Sequence, residues 1–159
     1  YYITTPIIMT FLEKAQRVRA LVVMVQEEVA YRLSAKAGSS DYGAITVSVN
    51  FSGSASIIKK VPREMFTPAP NVDSAVVKID IEKDKFLGVD YSSFRDAVKC
   101  GFGNRRKMLV NNLMNTYKLP RQTAEEILSS CGISLTARGE VLTTEDYINL
   151  SQKLLEKNK

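Results

Sequence analysis

The sequence predicts an α/β segment followed by an all-α segment, and three observations carry that prediction. Short apolar runs and period-two alternations fill the stretch from Ala20 to Ile81, the pattern of strands. Apolar residues three and four apart fill the stretch from Phe94 to Leu154, the pattern of amphipathic helices. Between them stands the charged run Glu82-Lys83-Asp84-Lys85. It places a boundary between residues 1–83, the closing half of an α/β sheet, and residues 84–159, a small helical domain.

The elements follow in order. Thr5-Pro6 is a helix start, with a hydroxyl N-cap and proline at the first helical position; Ile7, Ile8, Phe11 and Leu12 give that helix one apolar face. Ala20-Leu21-Val22-Val23-Met24-Val25 is a continuous apolar run, read as a strand buried on both faces, as in a parallel sheet. Gln26 to Lys36 reads as a helix with Val29 and Leu33 inward, and Gly38 to Gly43 as a polar loop. Ile45, Val47, Val49 and Phe51 alternate with Thr46, Ser48 and Asn50, which predicts a half-buried strand. Gly53 breaks it, and Ala55 to Val61 follows as a second strand. Pro62 to Pro70 holds three prolines and reads as a stiff loop. Ala75, Val77, Ile79 and Ile81 alternate again. With no helix between them, these three late strands are expected to be antiparallel neighbours.

In the second segment, Phe94, Ala97, Val98 and Phe102 form one stripe, and Leu109, Val110, Leu113 and Tyr117 a second. Pro120 opens a third helix with Ala124, Ile127, Leu128 and Cys131 inward, and Gly132 suits the position after its end. Thr143 with Asp146 resembles a capping box ahead of Tyr147, Leu150 and Leu154.

Composition narrows the function classes. The chain has 159 residues, 45% hydrophobic and 25% charged, enough for a packed core. Its net charge of +5 suits a polyanionic partner, or simply a basic surface. Cys100 and Cys131 fall in helical patterns and read as reduced thiols. The chain has no histidine, which excludes imidazole metal sites and Ser-His or Cys-His catalysis within it; no metal is expected. No run approaches the roughly 18 apolar residues of a membrane span, and no secretory signal precedes the first element. A cytoplasmic setting fits. The opening Tyr1-Tyr2-Ile3-Thr4 lacks an initiator methionine, so the chain reads as a fragment of a longer protein.

The most specific stretch runs from Val61-Pro62-Arg63 through Phe66-Thr67-Pro68-Ala69-Pro70-Asn71-Val72-Asp73-Ser74-Ala75-Val76-Val77. Its prolines hold the loop extended, so Phe66 can be presented at the sheet rim at little entropic cost; the other reading is a hydrophobic plug between sheet and helices. The pattern Phe-x-Pro-x-Pro-x-Val-Asp-Ser-Ala-Val-Val resembles the KsgA-type rRNA adenine N6,N6-dimethyltransferases. The Erm methyltransferases of macrolide resistance are similar over Phe-x-Pro-x-Pro and usually differ after it. Tyr1-Tyr2-Ile3-Thr4-Thr5-Pro6 resembles the sequence after Asn-Leu-Pro in the family's Asn-Leu-Pro-Tyr motif, with Tyr1 in the aromatic position and the preceding three residues absent. Gly101-Phe102-Gly103-Asn104-Arg105-Arg106-Lys107 is similar to the family's Phe-x-x-Arg-Arg-Lys segment. Arg138-Gly139-Glu140-Val141-Leu142 resembles its Arg-x-Glu-x-Leu, read as an ion pair or helix cap.

The resemblance implies a full-length protein with a class I (Rossmann-like) methyltransferase sheet, of which this chain is the C-terminal half, followed by a helical rRNA-binding domain. It implies S-adenosyl-L-methionine as cofactor, held by a glycine-rich loop upstream of Tyr1. It implies dimethylation of two adjacent adenines near the 3′ end of small-subunit rRNA, in the immature small ribosomal subunit. Tyr1 and Phe66 would stack on the flipped adenine, and the fragment alone would be inactive. Between Phe94 and Asn112, Arg95, Lys99, Arg105, Arg106 and Lys107 stand against Asp96 alone; they are candidate phosphate contacts or a solvated helix face. Lys59, Lys60 and Arg63 are further candidates. Two alternatives stay open: an Erm-type enzyme acting on large-subunit rRNA, and a ribosome-assembly or transcription-accessory factor that binds nucleic acid without methylating it.

Overall fold

The structure is a computed structural model that describes residues 3–158. Tyr1, one of the two expected stacking residues, lies outside the described residues. The elements run α1 (Thr4–Lys14), β1 (Ala20–Gln26), α2 (Glu27–Leu33), α3 (Ala44–Ser52), β2 (Gly53–Val61), β3 (Ser74–Ile81), α4 (Tyr91–Gly103), α5 (Leu109–Tyr117), α6 (Arg121–Ser130) and α7 (Thr144–Lys157), with 3-10 turns at Arg63–Met65 and Gly139–Val141. An α/β segment is followed by an all-α segment, as the sequence predicts.

The sheet has the order β1-β3-β2. β3 lies antiparallel to both neighbours, with Val23 opposite Val77 and Ile57 opposite Val77 from the other side. β1 and β2 therefore run in the same direction without touching. β1 does not have the two buried faces expected of it. Leu21, Val23 and Val25 turn toward the helices, whereas Val22 and Met24 are 59% and 48% exposed. α1, α2 and α3 cover one face through Ile8, Leu12, Ala30, Leu33 and Val49, packed on Val25, Ala75, Val77 and Ile79. The other face is bare among the described residues and carries the Lys78–Asp80 ion pair at 3.0 Å. α1 differs similarly: Ile8 and Leu12 are buried, but Ile7 and Phe11 face outward. Its helix begins at Thr4, after Ile3 rather than a hydroxyl cap.

The largest correction is α3. Residues 45–51 are helical, not a strand, so no hairpin joins them to β2. The Gly43 N–H donates to Thr46 Oγ1 (3.1 Å), and the Thr46 hydroxyl donates to the Arg32 carbonyl (2.5 Å), fixing the helix start. The helix is wedged between two cores. Val49 joins the sheet core, while Val47 and Phe51 join the helical one. Apolar residues on two sides of a helix hide the 3.6-residue period and leave an apparent period of two. A packed position overrides the strand preference of β-branched residues.

The helical segment follows its sequence pattern. Phe94, Ala97, Val98, Leu109, Val110, Leu113, Ala124, Ile127, Leu128, Tyr147, Leu150 and Leu154 are buried in one cluster. Thr143 and Asp146 form the reciprocal cap of α7, with bonds of 2.9 and 3.2 Å. Gly132 follows α6 with a φ of 70°. Cys100 is buried, Cys131 half-buried, and neither is bridged. Arg138 and Glu140 form no ion pair among the described residues. That turn contributes backbone instead, with the Tyr147 hydroxyl donating to the Gly139 carbonyl (2.8 Å) and the Gly38 N–H to the Glu140 carbonyl (2.9 Å).

Candidate nucleic-acid interface

Loop 62–73 joins the end of β2 to the start of β3, where Val61 pairs with Ser74. Pro62 has no N–H to continue the ladder. The chain turns instead through Arg63–Met65, where the Met65 N–H donates to the Pro62 carbonyl (3.1 Å) and the Phe66 N–H to the Arg63 carbonyl (3.2 Å). Asp73 closes the loop: its Oδ1 accepts from the Arg63 N–H at 2.9 Å, and its carbonyl from the Glu27 N–H at 3.0 Å. The Arg63 guanidinium adds a bond to the Asn71 carbonyl (3.3 Å). Phe66 is half-buried on this loop and joins neither core cluster among the described residues. Met65 beside it in sequence and Val72 further along the same loop are exposed.

The basic residues divide by what they already hold. Lys60 pairs with Glu27 (3.3 Å) and lies over the Tyr31 ring (5.3 Å). Tyr31 and then Glu27 hold its ammonium above the ordinary lysine range. Arg63 is engaged within the loop and with Glu64 at 3.4 Å. Arg105 donates to the Tyr42 carbonyl (2.8 Å) and its guanidinium lies 5.9 Å from the centre of the Phe102 ring, tying the end of α4 to the α2–α3 loop. Lys59, Arg95, Lys99, Arg106 and Lys107 are exposed, and their side chains make no hydrogen bond or ion pair among the described residues. Lys59, Lys60 and Arg63 flank the loop that carries Phe66; the other five candidates lie on α4 and the turn after it.

A cleft of about 330 Å³ opens at the opposite end of the sheet, between Leu12–Gln16, Ser52, Ile81 and Tyr91. There the Tyr91 hydroxyl donates to Glu13 (2.6 Å), and Lys83 Nζ donates to the Ala15 carbonyl. This cleft is separate from Phe66. α1 ends beside it and packs back along the sheet through Leu12 and Ile8.

The described residues do not fit S-adenosylmethionine. Such a cofactor takes a glycine-rich turn between a strand and a helix. β1 runs directly into Glu27, β2 into Pro62 and β3 into Glu82, while Gly101-Phe102-Gly103 lies inside α4. No group of His, Cys, Asp or Glu among the described residues could hold a metal ion, and no helix is long and apolar enough to cross a membrane. Sequence reasoning missed Asp73 as the closure of the loop and Tyr42 as the group that Arg105 holds. Neither carried a signal: no sequence pattern marks a carboxylate that takes a backbone N–H ten residues earlier, and Tyr42 takes part through its backbone carbonyl.

Two strands running alike with an antiparallel strand between them, followed by a helical segment, match the C-terminal part of solved methyltransferases. The chain superposes on the dimethyladenosine transferase from Plasmodium falciparum with a TM-score of 0.85 and 22% identity, covering 99% of this chain and 65% of that one. On the 23S rRNA methyltransferase ErmE the TM-score is 0.68 at 25% identity, covering 97% and 62%. The ribosomal RNA adenine dimethylase family matches residues 1–156, and the chain belongs to it. It is 41% identical over 159 residues to the ribosomal RNA small subunit methyltransferase A of Geobacillus thermodenitrificans, covering 98% of this chain and 54% of the relative. It is 43% identical over 152 residues to the protein of the same name from Clostridioides difficile, covering 95% and 53%. The resemblance drawn from the Phe66–Val77 motif is borne out. The chain spans about half the length of these curated relatives.

Proposed function

We propose that the full-length protein containing this chain is an S-adenosylmethionine-dependent rRNA adenine N6,N6-dimethyltransferase. It modifies two adjacent adenines near the 3′ end of small-subunit rRNA, in the immature small subunit and in the cytoplasm, as a step of small-subunit biogenesis. The cofactor is held by residues other than those of this chain, so the chain alone is inactive. Residues 1–83 present the base-facing aromatics and residues 84–159 grip the rRNA. The observation that carries this reading is Phe66, held on a closed loop at the sheet rim and outside both cores.

An adenine must leave its stack before its N6 can be methylated, and an aromatic face offsets part of that cost, roughly 1–3 kcal/mol per base. Phe66 supplies one face and Tyr1 the other. The transfer then rests on orientation rather than on a protein acid or base. Lys59, Arg95, Lys99, Arg106 and Lys107 meet phosphates, while Lys60, Arg63 and Arg105 shape the surface around them.

The test is methyl transfer by the full-length enzyme to immature small and large subunits in parallel. Incorporation into small-subunit rRNA alone is expected. Incorporation into large-subunit rRNA alone would make the protein Erm-like, and tight RNA binding without transfer would make it an assembly factor.

A further inference from the structure

We propose that Asp73 is the positioning residue for Phe66, acting through the main chain of Arg63. This rests on the reading that Phe66 stacks on the target adenine. Pro62 interrupts the β2–β3 ladder just past the Val61–Ser74 pair, because it has no N–H to give. The next donor, the Arg63 N–H, would be left to water. Asp73 lies one residue before β3, and its carboxylate takes that donor at 2.9 Å, continuing the ladder with a side chain where the backbone cannot. The Arg63 carbonyl in turn accepts the Phe66 N–H at 3.2 Å. One relay thus runs from Asp73 Oδ1 through Arg63 to the backbone of Phe66.

The other end of Asp73 is anchored as well. Its carbonyl accepts the Glu27 N–H, where α2 leaves β1, and Glu27 holds Lys60 at the end of β2. The loop base is therefore tied to both outer strands. The Arg63 guanidinium bonds the Asn71 carbonyl from within, so the turn that starts at Pro62 and the run that ends at Asp73 are joined twice. An exposed carboxylate on a surface that faces RNA repels phosphate. Asp73 pairs with no cation among the described residues, so charge pairing does not explain it. Loop closure does. A reacting base held between aromatic faces is sensitive to displacements on the order of 1 Å, so a loosened loop base reduces turnover before it reduces binding.

The experiment compares Asp73→Ala, Asp73→Asn and Phe66→Ala in the full-length methyltransferase. Its readouts are kcat and KM on immature small subunits, melting temperature, and hydrogen exchange at the Arg63 and Phe66 amides. Asp73 is exposed, so folding should be intact in both of its variants. Asp73→Ala is expected to lower kcat roughly fivefold with KM within about twofold, and to speed exchange at both amides. Asp73→Asn keeps the acceptor oxygen and should restore both. The proposal is overturned if Phe66→Ala lowers kcat while Asp73→Ala does not. Unchanged amide exchange in Asp73→Ala, or a loss in Asp73→Asn equal to that of alanine, overturns it too. A wild-type kcat for Phe66→Ala instead refutes the stacking reading itself, and the proposal falls with it.

Discussion

At the residue scale, the tightest point is where α4 meets the Gly139–Val141 turn. A Cβ on Gly101 would lie 2.1 Å from the Tyr147 hydroxyl, and one on Gly139 would lie 2.1 Å from the Gly101 carbonyl. The Tyr147 hydroxyl is meanwhile committed to the Gly139 carbonyl. Gly101→Ala should therefore cost about 2 kcal/mol or more in urea denaturation. Gly103→Ala, two residues on in the same helix with open space around it, should be neutral or stabilising by at most about 1 kcal/mol. Equal effects would mean that helix propensity, not the close approach, sets the choice of glycine. Burial also sets a pH dependence. An ordinary tyrosine ionises near pH 10; burial, with Asp146 and Glu145 nearby, pushes Tyr42 up to about 12. The unfolded chain thus loses this proton first. The stabilisation is fully present below about pH 10 and is lost as pH rises from there toward about 12. Tyr117 is raised to about 12, again chiefly by burial. Urea midpoints measured from pH 8 to 11 should fall at the alkaline end, and fall less in Tyr42→Phe.

At the element scale, legibility followed how each element is buried. α4 to α7 bury a single stripe each, and their stripes and caps could be read directly. The cap of α7 carries its own test: Thr143→Ala should cost about 1 kcal/mol by denaturation, and a loss near zero would mean that Asp146 or water replaces it. α3 buries two sides, so its sequence imitates a strand. β1 reads as doubly buried because Val22 and Met24 are apolar, yet nothing among the described residues covers them. An open edge strand with an apolar face invites association. Val22→Lys should therefore leave stability within about 0.5 kcal/mol while reducing self-association of the isolated chain in sedimentation experiments. A large loss of stability would mean that this face is packed after all. The candidate site was legible where proline fixes the backbone, at loop 62–73. It was not legible where a side chain substitutes for backbone, as Asp73 does, or where a cation is used internally. Arg105 looks the same as Arg106 in sequence, and only the fold places the Tyr42 carbonyl beside it.

At the scale of the whole molecule, the two segments share a bonded seam. The Tyr42 hydroxyl donates to the Leu142 carbonyl (2.7 Å), the Thr144 hydroxyl to the Val47 carbonyl (3.3 Å), and Tyr91 to Glu13. Tyr42 and Val47 lie inside the helical core. These bonds tie α4 and α7 to the sheet-bearing segment. Replacing Arg106 and Lys107 with alanine should weaken rRNA binding without changing stability. It should also reduce the log–log salt slope by roughly 1.4, at about 0.7 per phosphate contact on single strands. Arg105→Ala should instead lower stability, because the Tyr42 carbonyl loses its donor. An unchanged salt slope for the double variant would remove both residues from the interface. The most direct measurement is single-turnover methyl transfer by the full-length Phe66→Ala enzyme at saturating small-subunit rRNA, beside its rRNA Kd and melting temperature. Loss of one stacking face should slow transfer by about fivefold to 150-fold, with Kd and melting temperature close to wild type. A wild-type transfer rate with a lowered melting temperature would make Phe66 a packing residue and contradict the reading of this loop as the base-facing element.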